Sequence, residues 1–102
     1  MAVVLVQQGP GLTQESYEEV VRRMMDGKTH PESPRDWPVE GLLVHVAGEG
    51  ENGFRVIDVW DSEESVQRFG ETLGPIIKEL GIEATPETYP ALTFVSATFV
   101  PA

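Results

Sequence analysis

The sequence predicts a single α+β domain of βαββαβ order, with a four-stranded antiparallel sheet that carries two helices on one face. Two observations support this prediction. Four apolar runs of strand length are bounded by glycine and proline turns, and two longer segments have apolar residues at helical spacing. These helical segments follow the first and the third strand, which is the split βαβ, or ferredoxin-like, arrangement. With 102 residues, the chain is expected to form one domain over residues 1–102.

The first half of the chain predicts one strand, one helix and a long loop. Ala2–Gln7 is a β-branched run that ends at the turn Gly9–Gly11. Thr13 is the expected N-cap of the first helix, and Asp26–Val39, with three prolines and no periodicity, is the expected loop, a candidate cover for a binding site. The apolar face of this helix comprises Tyr17, Val20, Val21 and Met24.

A hairpin is predicted in the middle of the chain. Gly41–Ala47 and Phe54–Trp60 have strand composition, and the glycine-rich segment 48–53 connects them. The glycines of this segment match a dinucleotide-binding spacing. A strand follows them instead of a helix, and the acidic residues between them would repel a pyrophosphate, so we reject that interpretation.

The last part of the chain predicts a second helix and a final strand. Ser62 is the expected N-cap and Gly81 the expected C-cap of the helix. Pro75 removes a helical hydrogen bond, so we expect a kink there or two short helices. The final strand is predicted over Leu92–Val100.

The composition disfavours several kinds of binding partner and ligand. Seventeen acidic residues against seven basic ones give a formal net charge of −10, which disfavours nucleic acid and anionic membranes. The chain has no cysteine, and its two histidines lie far apart in sequence, so we expect no metal site and no disulfide. The apolar run at the start is too short for a signal peptide or a membrane span, and we expect a cytoplasmic protein.

The two faces of the hairpin differ in chemistry, because successive strand residues point to opposite sides of a sheet. We expect the purely aliphatic face to lie under the helices, and this face comprises Leu42, Val44, Val46, Ile57 and Val59. The other face would then be left to water in a monomer, although large apolar patches are rarely exposed. It comprises Leu43, His45, Phe54, Val56, Asp58 and Trp60. A second subunit, a ligand or both should cover it, and a homodimer is the expected assembly.

Three stretches resemble the dimeric α/β-barrel superfamily, which includes the antibiotic-biosynthesis monooxygenases. They are GLLVHVAG at 41–48, VIDVWDS at 56–62, and Phe69 followed by LGP at 73–75. The resemblance covers nearly the whole chain, and its most specific part is Asp58 followed two residues later by Trp60. It implies two subunits with facing sheets, each with a cavity between sheet and helices. Members of this group oxidise quinols or polyketide phenols without a cofactor, degrade haem, or have no known activity.

His45 and Asp58 are the candidate catalytic pair. Their positions on the two strands of the hairpin place them on the same face, as neighbours or as a diagonal pair, provided that the connection near residue 50 has an even length. A carboxylate beside an imidazole raises its basicity and fixes its tautomer, as a general base requires. A structural hydrogen-bonded pair at a buried interface is an equally good interpretation. The candidate substrate-binding residues are Leu43, Phe54, Val56, Trp60 and Phe69.

The sequence leaves three functions open. The first is a cofactor-independent monooxygenase that binds an aromatic or polyketide-like molecule in an apolar cavity, with Trp60 packed on its ring. The second is a non-catalytic ligand-binding or interaction dimer in which Trp60 belongs to the core. The third is a haem-binding relative with His45 as the ligand. Quinol-oxidising members of the superfamily commonly have a histidine on the second helix where this chain has Phe69, a departure from their pattern.

Overall fold

A four-stranded antiparallel sheet carries two helices on one face in the computed structural model, which describes residues 1–97. The strands are β1 (Val3–Gln8), β2 (Leu42–Gly50), β3 (Gly53–Trp60) and β4 (Thr85–Pro90), and the helices are α1 (Gln14–Met24) and α2 (Glu63–Leu80). The order of strands across the sheet is β2-β3-β1-β4. The predicted α+β class and βαββαβ order are confirmed. Within the described residues, no helix is both long enough and apolar enough to cross a membrane.

Helix α1 begins where the sequence predicts it. The hydroxyl of Thr13 accepts a hydrogen bond from the backbone N–H of Ser16 at 3.1 Å, and the Ser16 hydroxyl accepts one from the N–H of Thr13 at 2.8 Å. This reciprocal pair is a capping box, which satisfies backbone donors that the first turn leaves free. Val20 and Val21 are buried against the sheet.

Helix α2 runs without interruption through Pro75, so of the two expected alternatives the pair of short helices is wrong, and a kink at Pro75 stays a prediction. Its predicted caps are present: Ser62 accepts from the N–H of Ser65, and Gly81 ends the helix with a left-handed φ of 65°. Buried Leu73 lies before the proline and partly buried Ile77 lies after it, both on the same core. Packing on both sides of Pro75 therefore outweighs the hydrogen bond that the proline cannot make.

The fourth strand is Thr85–Pro90, not the predicted Leu92–Val100. Residues 92–97 form no strand, and 98–100 lie outside the described residues. Among residues 1–97, strand β4 pairs only with β1, from Gln8 opposite Thr85 to Val3 opposite Pro90. Proline has no backbone N–H to donate to a neighbouring strand, but an edge strand tolerates it because one of its sides is unpaired. Sequence rules that treat proline as a strand breaker therefore miss a strand of this composition.

The predicted assignment of the two sheet faces is reversed. Phe54, Val56 and Asp58 are buried on the helix side, whereas Val46 and Ile57 keep 56% and 36% of their surface exposed on the other side. Alternation shows which residues share a face, but it does not show which face the helices cover. The large rings and the polar pair lie in the deeper layer under the helices, and the short aliphatic side chains form the open outer face.

A bulge in β2 changes the predicted parity of its first residues. Leu42 lies opposite Trp60, and Val44 lies opposite Val59, so one extra residue separates the two pairs. Leu42 is consequently buried on the helix side, whereas Leu43 is 44% exposed at the bulge.

The segment Asp26–Val39 is mostly exposed, but one of its residues anchors it to the core. It contains a short 3₁₀ turn, Pro34–Asp36, and the residue after this turn, Trp37, is buried in the main core. The segment therefore closes one end of the space between the sheet and the helices.

Candidate active site

The site is built around His45 and Asp58, which lie directly opposite each other on β2 and β3. Directly paired residues point to the same face, and this face is the one under the helices. The Nδ1 atom of His45 lies 2.6 Å from Oδ1 of Asp58. The carboxylate is almost fully buried, and 15% of the imidazole side chain is exposed. The predicted juxtaposition of the two residues is present in the structure, and their catalytic role stays a prediction.

Tyr17 completes a chain of three polar side chains. Helix α1 places its hydroxyl 2.7 Å from Nε2 of His45. Burial, together with the negative charges of Asp58 and Glu18, raises the pKa of Tyr17 to about 12. The phenol therefore keeps its proton at neutral pH and donates it to Nε2, so the remaining ring proton of His45 is placed on Nδ1, toward Asp58.

Sequence reasoning placed Tyr17 on the apolar face of α1 and missed its part in the site. The signal that could have found it is chemical: a tyrosine on a buried helix face needs a partner for its hydroxyl. His45 is the partner that the fold brings within reach.

Aromatic rings enclose the imidazole. The ring of Trp37 approaches His45 edge-on at a centroid distance of 4.6 Å, and Tyr17 lies 5.3 Å from Phe54. Asp58 also accepts a hydrogen bond from the indole N–H of Trp60 at 3.4 Å. The polar chain is thus fixed within an apolar frame, and no buried side-chain nitrogen or oxygen of residues 1–97 lacks a partner.

An apolar space of about 50 Å³, termed the inner cavity, lies between the sheet and the helices beside this chain. Its polar lining residues are Gln7, Tyr17, His45 and Asp58, and the rest of its wall is apolar. The apolar lining comprises Leu12, Val20, Val21, Met24, Met25, Trp37, Val56, Phe69, Leu73, Ile77 and Ala84.

A larger space of about 400 Å³, termed the outer groove, opens on the other side of Tyr17 and His45. It is more polar and more exposed than the inner cavity. Its wall comprises Gln14, Tyr17, His30, Pro31, His45, Ala47, Gly48, Glu49 and Phe54. The site therefore offers one small apolar space and one space of the size that small-molecule ligands occupy.

The predicted substrate-binding residues are divided among several places. Val56 and Phe69 line the inner cavity, and Phe54 lines the outer groove. Trp60 has no exposed surface and packs on Phe69 at a centroid distance of 4.8 Å, so in this conformation it is a core residue. Leu43 lines neither space, because the bulge in β2 turns it outward.

The residues present do not fit a metal or haem ligand role. Residues 1–97 contain no cluster of three histidine or acidic side chains that could hold a metal ion. Both ring nitrogens of His45 already have partners, Asp58 and Tyr17, so neither is free to bind iron. The second histidine, His30, lies at the protein surface, 2.6 Å from the carboxylate of Glu18.

Comparison with known proteins finds similarity in structure only. No family model matches the chain. No curated protein matches it either. A solved structure of a SnoaB variant, a cofactor-independent oxygenase from Streptomyces nogalater, is 14% identical, with a TM-score of 0.59 over 94% of this chain and 98% of that one.

Two further structures match to a similar degree. A candidate monooxygenase from Shewanella loihica PV-4 is 16% identical, with a TM-score of 0.56 over 91% of this chain and 96% of that one. A protein from Pseudomonas aeruginosa is 15% identical, with a TM-score of 0.54 over 90% and 94% of the two chains. At this identity the similarity concerns the fold alone. The chain therefore shares the βαββαβ fold of these structures, which is the fold that the sequence resemblance implied.

Proposed function

We propose that this protein is a cofactor-independent oxygenase that acts on a small hydroxylated aromatic or polyketide-like molecule. The observation that carries the proposal is the hydrogen-bonded chain Tyr17–His45–Asp58 at the boundary of the inner cavity and the outer groove. A base oriented by a buried carboxylate is the arrangement that proton abstraction at neutral pH requires.

The hydrogen-bonded side chains of Tyr17, His45 and Asp58 supply a path for one proton. A substrate hydroxyl in the outer groove gives its proton to the oxygen of the Tyr17 hydroxyl, whose own proton passes to Nε2 of His45. Asp58 faces the opposite ring nitrogen at 2.6 Å and stabilises the imidazolium that forms. The buried indole N–H of Trp60 holds the other carboxylate oxygen in place.

The substrate itself supplies the electrons. Removal of the proton leaves an electron-rich phenolate whose ring carbon bonds to dioxygen. The O–O bond then breaks as the same carbon loses its hydrogen as a proton. One oxygen stays on the carbon as a carbonyl, and the other takes up this proton and the phenolic proton and leaves as water. A phenol and dioxygen thus give a quinone and water, with atoms and electrons balanced and no external reductant. The fold similarity to the cofactor-independent oxygenase SnoaB supports this class of reaction.

The proposed assembly is a homodimer. The outer sheet face has a row of aliphatic side chains that the described chain leaves partly open, and Val46 and Ile57 are two of its exposed members. A second copy of the chain would bury the same face on both subunits in a two-fold interface. We propose this pairing in place of the one expected through the His45 face, which the helices cover.

Oxygen uptake tests the proposed function. The protein is incubated with a panel of phenols, hydroquinones and anthrone-type compounds in an oxygen electrode, with product analysis for the quinone. We expect uptake by the wild type. His45→Ala should lose at least 100-fold in rate, at the lower end of about 10²–10⁴-fold for general base catalysis. Glu64→Gln, a charge change on the exposed surface of α2, is the control and should retain the wild-type rate.

The competing function is a non-catalytic binding protein. It is favoured by the complete pairing of His45 and Asp58 within the chain, which a structural role would also require. Binding of panel members without oxygen uptake, measured by calorimetry, would support it. Equal turnover by His45→Ala and the wild type would refute the oxygenase mechanism given above.

A further inference from the structure

The Tyr17–His45 pair separates two spaces of different size and chemistry. Tyr17 and His45 are the two residues that the inner cavity and the outer groove share in their linings. Their hydrogen bond, 2.7 Å long, therefore lies in the wall between the two spaces. A molecule on either side of this wall is next to the proposed base.

The outer groove has the size of an organic ligand. Its volume of about 400 Å³ falls in the range of about 300–1,000 Å³ that is typical of small-molecule pockets. Phe54 offers a ring for stacking, and Gln14 and Glu49 offer polar groups that can bond to hydroxyls on a planar molecule. A hydroxylated aromatic ring can lie here with one hydroxyl toward His45.

The inner cavity is too small for such a ring. Its volume of about 50 Å³ is well below the roughly 150 Å³ of an engineered apolar cavity that binds benzene, although a single water needs only about 10–15 Å³. Apolar cavities also tend to stay dry. A small apolar molecule with no need of hydrogen bonds fits both its volume and its lining.

From this division we infer that the outer groove takes the aromatic substrate and the inner cavity holds dioxygen, the second substrate. The inference rests on the proposed oxygenase function and assigns a place to each reactant. A groove between α2 and the edge formed by β1 and β4 shares Phe69, Leu73 and Ile77 with the cavity. These apolar side chains therefore separate the cavity from a second solvent-facing groove that does not include the substrate site.

Dioxygen binding is tested directly by NMR on the free protein under oxygen pressure. Dissolved dioxygen is paramagnetic and speeds the relaxation of methyl protons that it contacts. Val21 is 2% exposed and lines the cavity, whereas Leu92 is 99% exposed and lies outside the cavity and the proposed dimer face. We expect a larger relaxation enhancement at Val21 than at Leu92. A smaller enhancement at Val21, as burial alone predicts, would overturn the inference.

A matched pair of substitutions on α2 tests the location. Leu73→Phe adds volume at the cavity wall, and Leu80→Phe makes the same change two helical turns later, where the side chain packs on the core and lines neither space. We expect Leu73→Phe to reduce the enhancement at Val21 and Leu80→Phe to leave it unchanged. Equal enhancement in both variants would overturn the assignment. Should Leu73→Phe fail to fold, Val21→Ile serves as a smaller filling change, with relaxation read at Leu73.

Steady-state kinetics give the second readout. Leu73→Phe should raise KM for dioxygen several-fold while KM for the aromatic substrate stays at the wild-type value. A parallel rise in both constants would show that the ring occupies the cavity, and would overturn the inference. If no panel compound is oxidised, the proposed function fails, and the relaxation experiment alone then decides whether the cavity holds dioxygen.

Discussion

At the scale of single residues, each buried polar side chain of the site forms a hydrogen bond with another side chain. Asp58 would be costly to bury alone, and its two oxygens accept from His45 and Trp60. His45 in turn needs Tyr17 on its second nitrogen. Tyr17, His45 and Asp58 come from α1, β2 and β3, so their hydrogen-bonded chain forms only when α1 packs on the sheet.

The raised pKa of Tyr17 predicts a loss of stability at high pH. Its folded value of about 12 exceeds the ordinary value of 10.0, so between these values the unfolded chain binds fewer protons than the folded one. The free energy of unfolding should therefore fall as the pH rises from 10 toward 12. Tyr17→Phe should remove this contribution. Urea unfolding at pH 8 and pH 11 measures the free energy of unfolding of the wild type and of Tyr17→Phe. An identical pH dependence of this free energy in the wild type and the variant would contradict the prediction.

Asp58→Asn should destabilise the fold whether or not the protein is an enzyme. An amide keeps the size of the side chain but cannot accept from both the imidazole and the indole as the carboxylate does. We expect a loss of about 1–3 kcal/mol in the free energy of unfolding, the usual effect of leaving a buried polar group unsatisfied. Urea unfolding measures it against Glu64→Gln, whose stability should stay at the wild-type value. A variant as stable as the wild type would show that the pair contributes nothing to folding.

At the scale of elements, the segment Asp26–Val39 shows how a loop without periodicity becomes ordered. The carboxylate of Asp36 accepts hydrogen bonds from the N–H groups of Glu32 and Ser33 at 2.8 and 3.2 Å and pairs with Lys28 at 3.0 Å. These contacts hold the pKa of Asp36 below its ordinary value. They stabilise the 3₁₀ turn that places the ring of Trp37 in T-shaped contact with the imidazole of His45.

Asp36→Ala should release this segment without unfolding the sheet. We expect faster hydrogen exchange at Glu32, Ser33 and Trp37, and unchanged exchange in the β2–β3 hairpin. The wild type should show the same local change at low pH, because a lowered pKa means that the contribution is present above the ordinary carboxyl value of 3.8 and is lost as the pH falls through the folded value. Unchanged exchange in the variant would show that the segment is held by Trp37 alone.

At the scale of the whole molecule, the sheet has one covered and one open face. The helices bury the face of His45, Phe54 and Val56, and the aliphatic outer face is left partly accessible. An open apolar sheet face of this kind is a liability for a monomer and a natural surface for self-association. The proposed dimer would place two such faces against each other and leave both active sites on the outside of the pair.

Val46→Glu should break the proposed dimer. The wild type should have a mass of about 22 kDa, twice the 11.2 kDa of one chain. A carboxylate at Val46, at the open face, would have to be buried in the interface without a partner of opposite charge, so we expect a monomer. Gln67→Glu adds the same charge at an exposed position of α2 and should stay dimeric. Light scattering at micromolar concentration measures all three, and a monomeric wild type would rule out the assembly.

Local chemistry in the sequence was sufficient to predict the element order, the caps at Thr13, Ser62 and Gly81, and the placement of His45 and Asp58 on one face of the hairpin. Caps depend on a few neighbouring residues, and cross-strand pairing depends on the length of one short connection. The strand at Thr85–Pro90 was missed because its prolines disfavour a central strand, and only its position at the sheet edge makes them acceptable.

Only the tertiary structure decided which sheet face the helices cover and what completes the site. Side chains alternate in the same way on both faces of a strand. The alternation therefore shows that His45 and Asp58 share a face, but it does not show whether the helices cover that face. Tyr17 is 28 residues away from His45 along the chain. No local rule connects the two. Their contact, and with it the division between inner cavity and outer groove, exists because α1 packs across the face that carries the large rings and the polar pair.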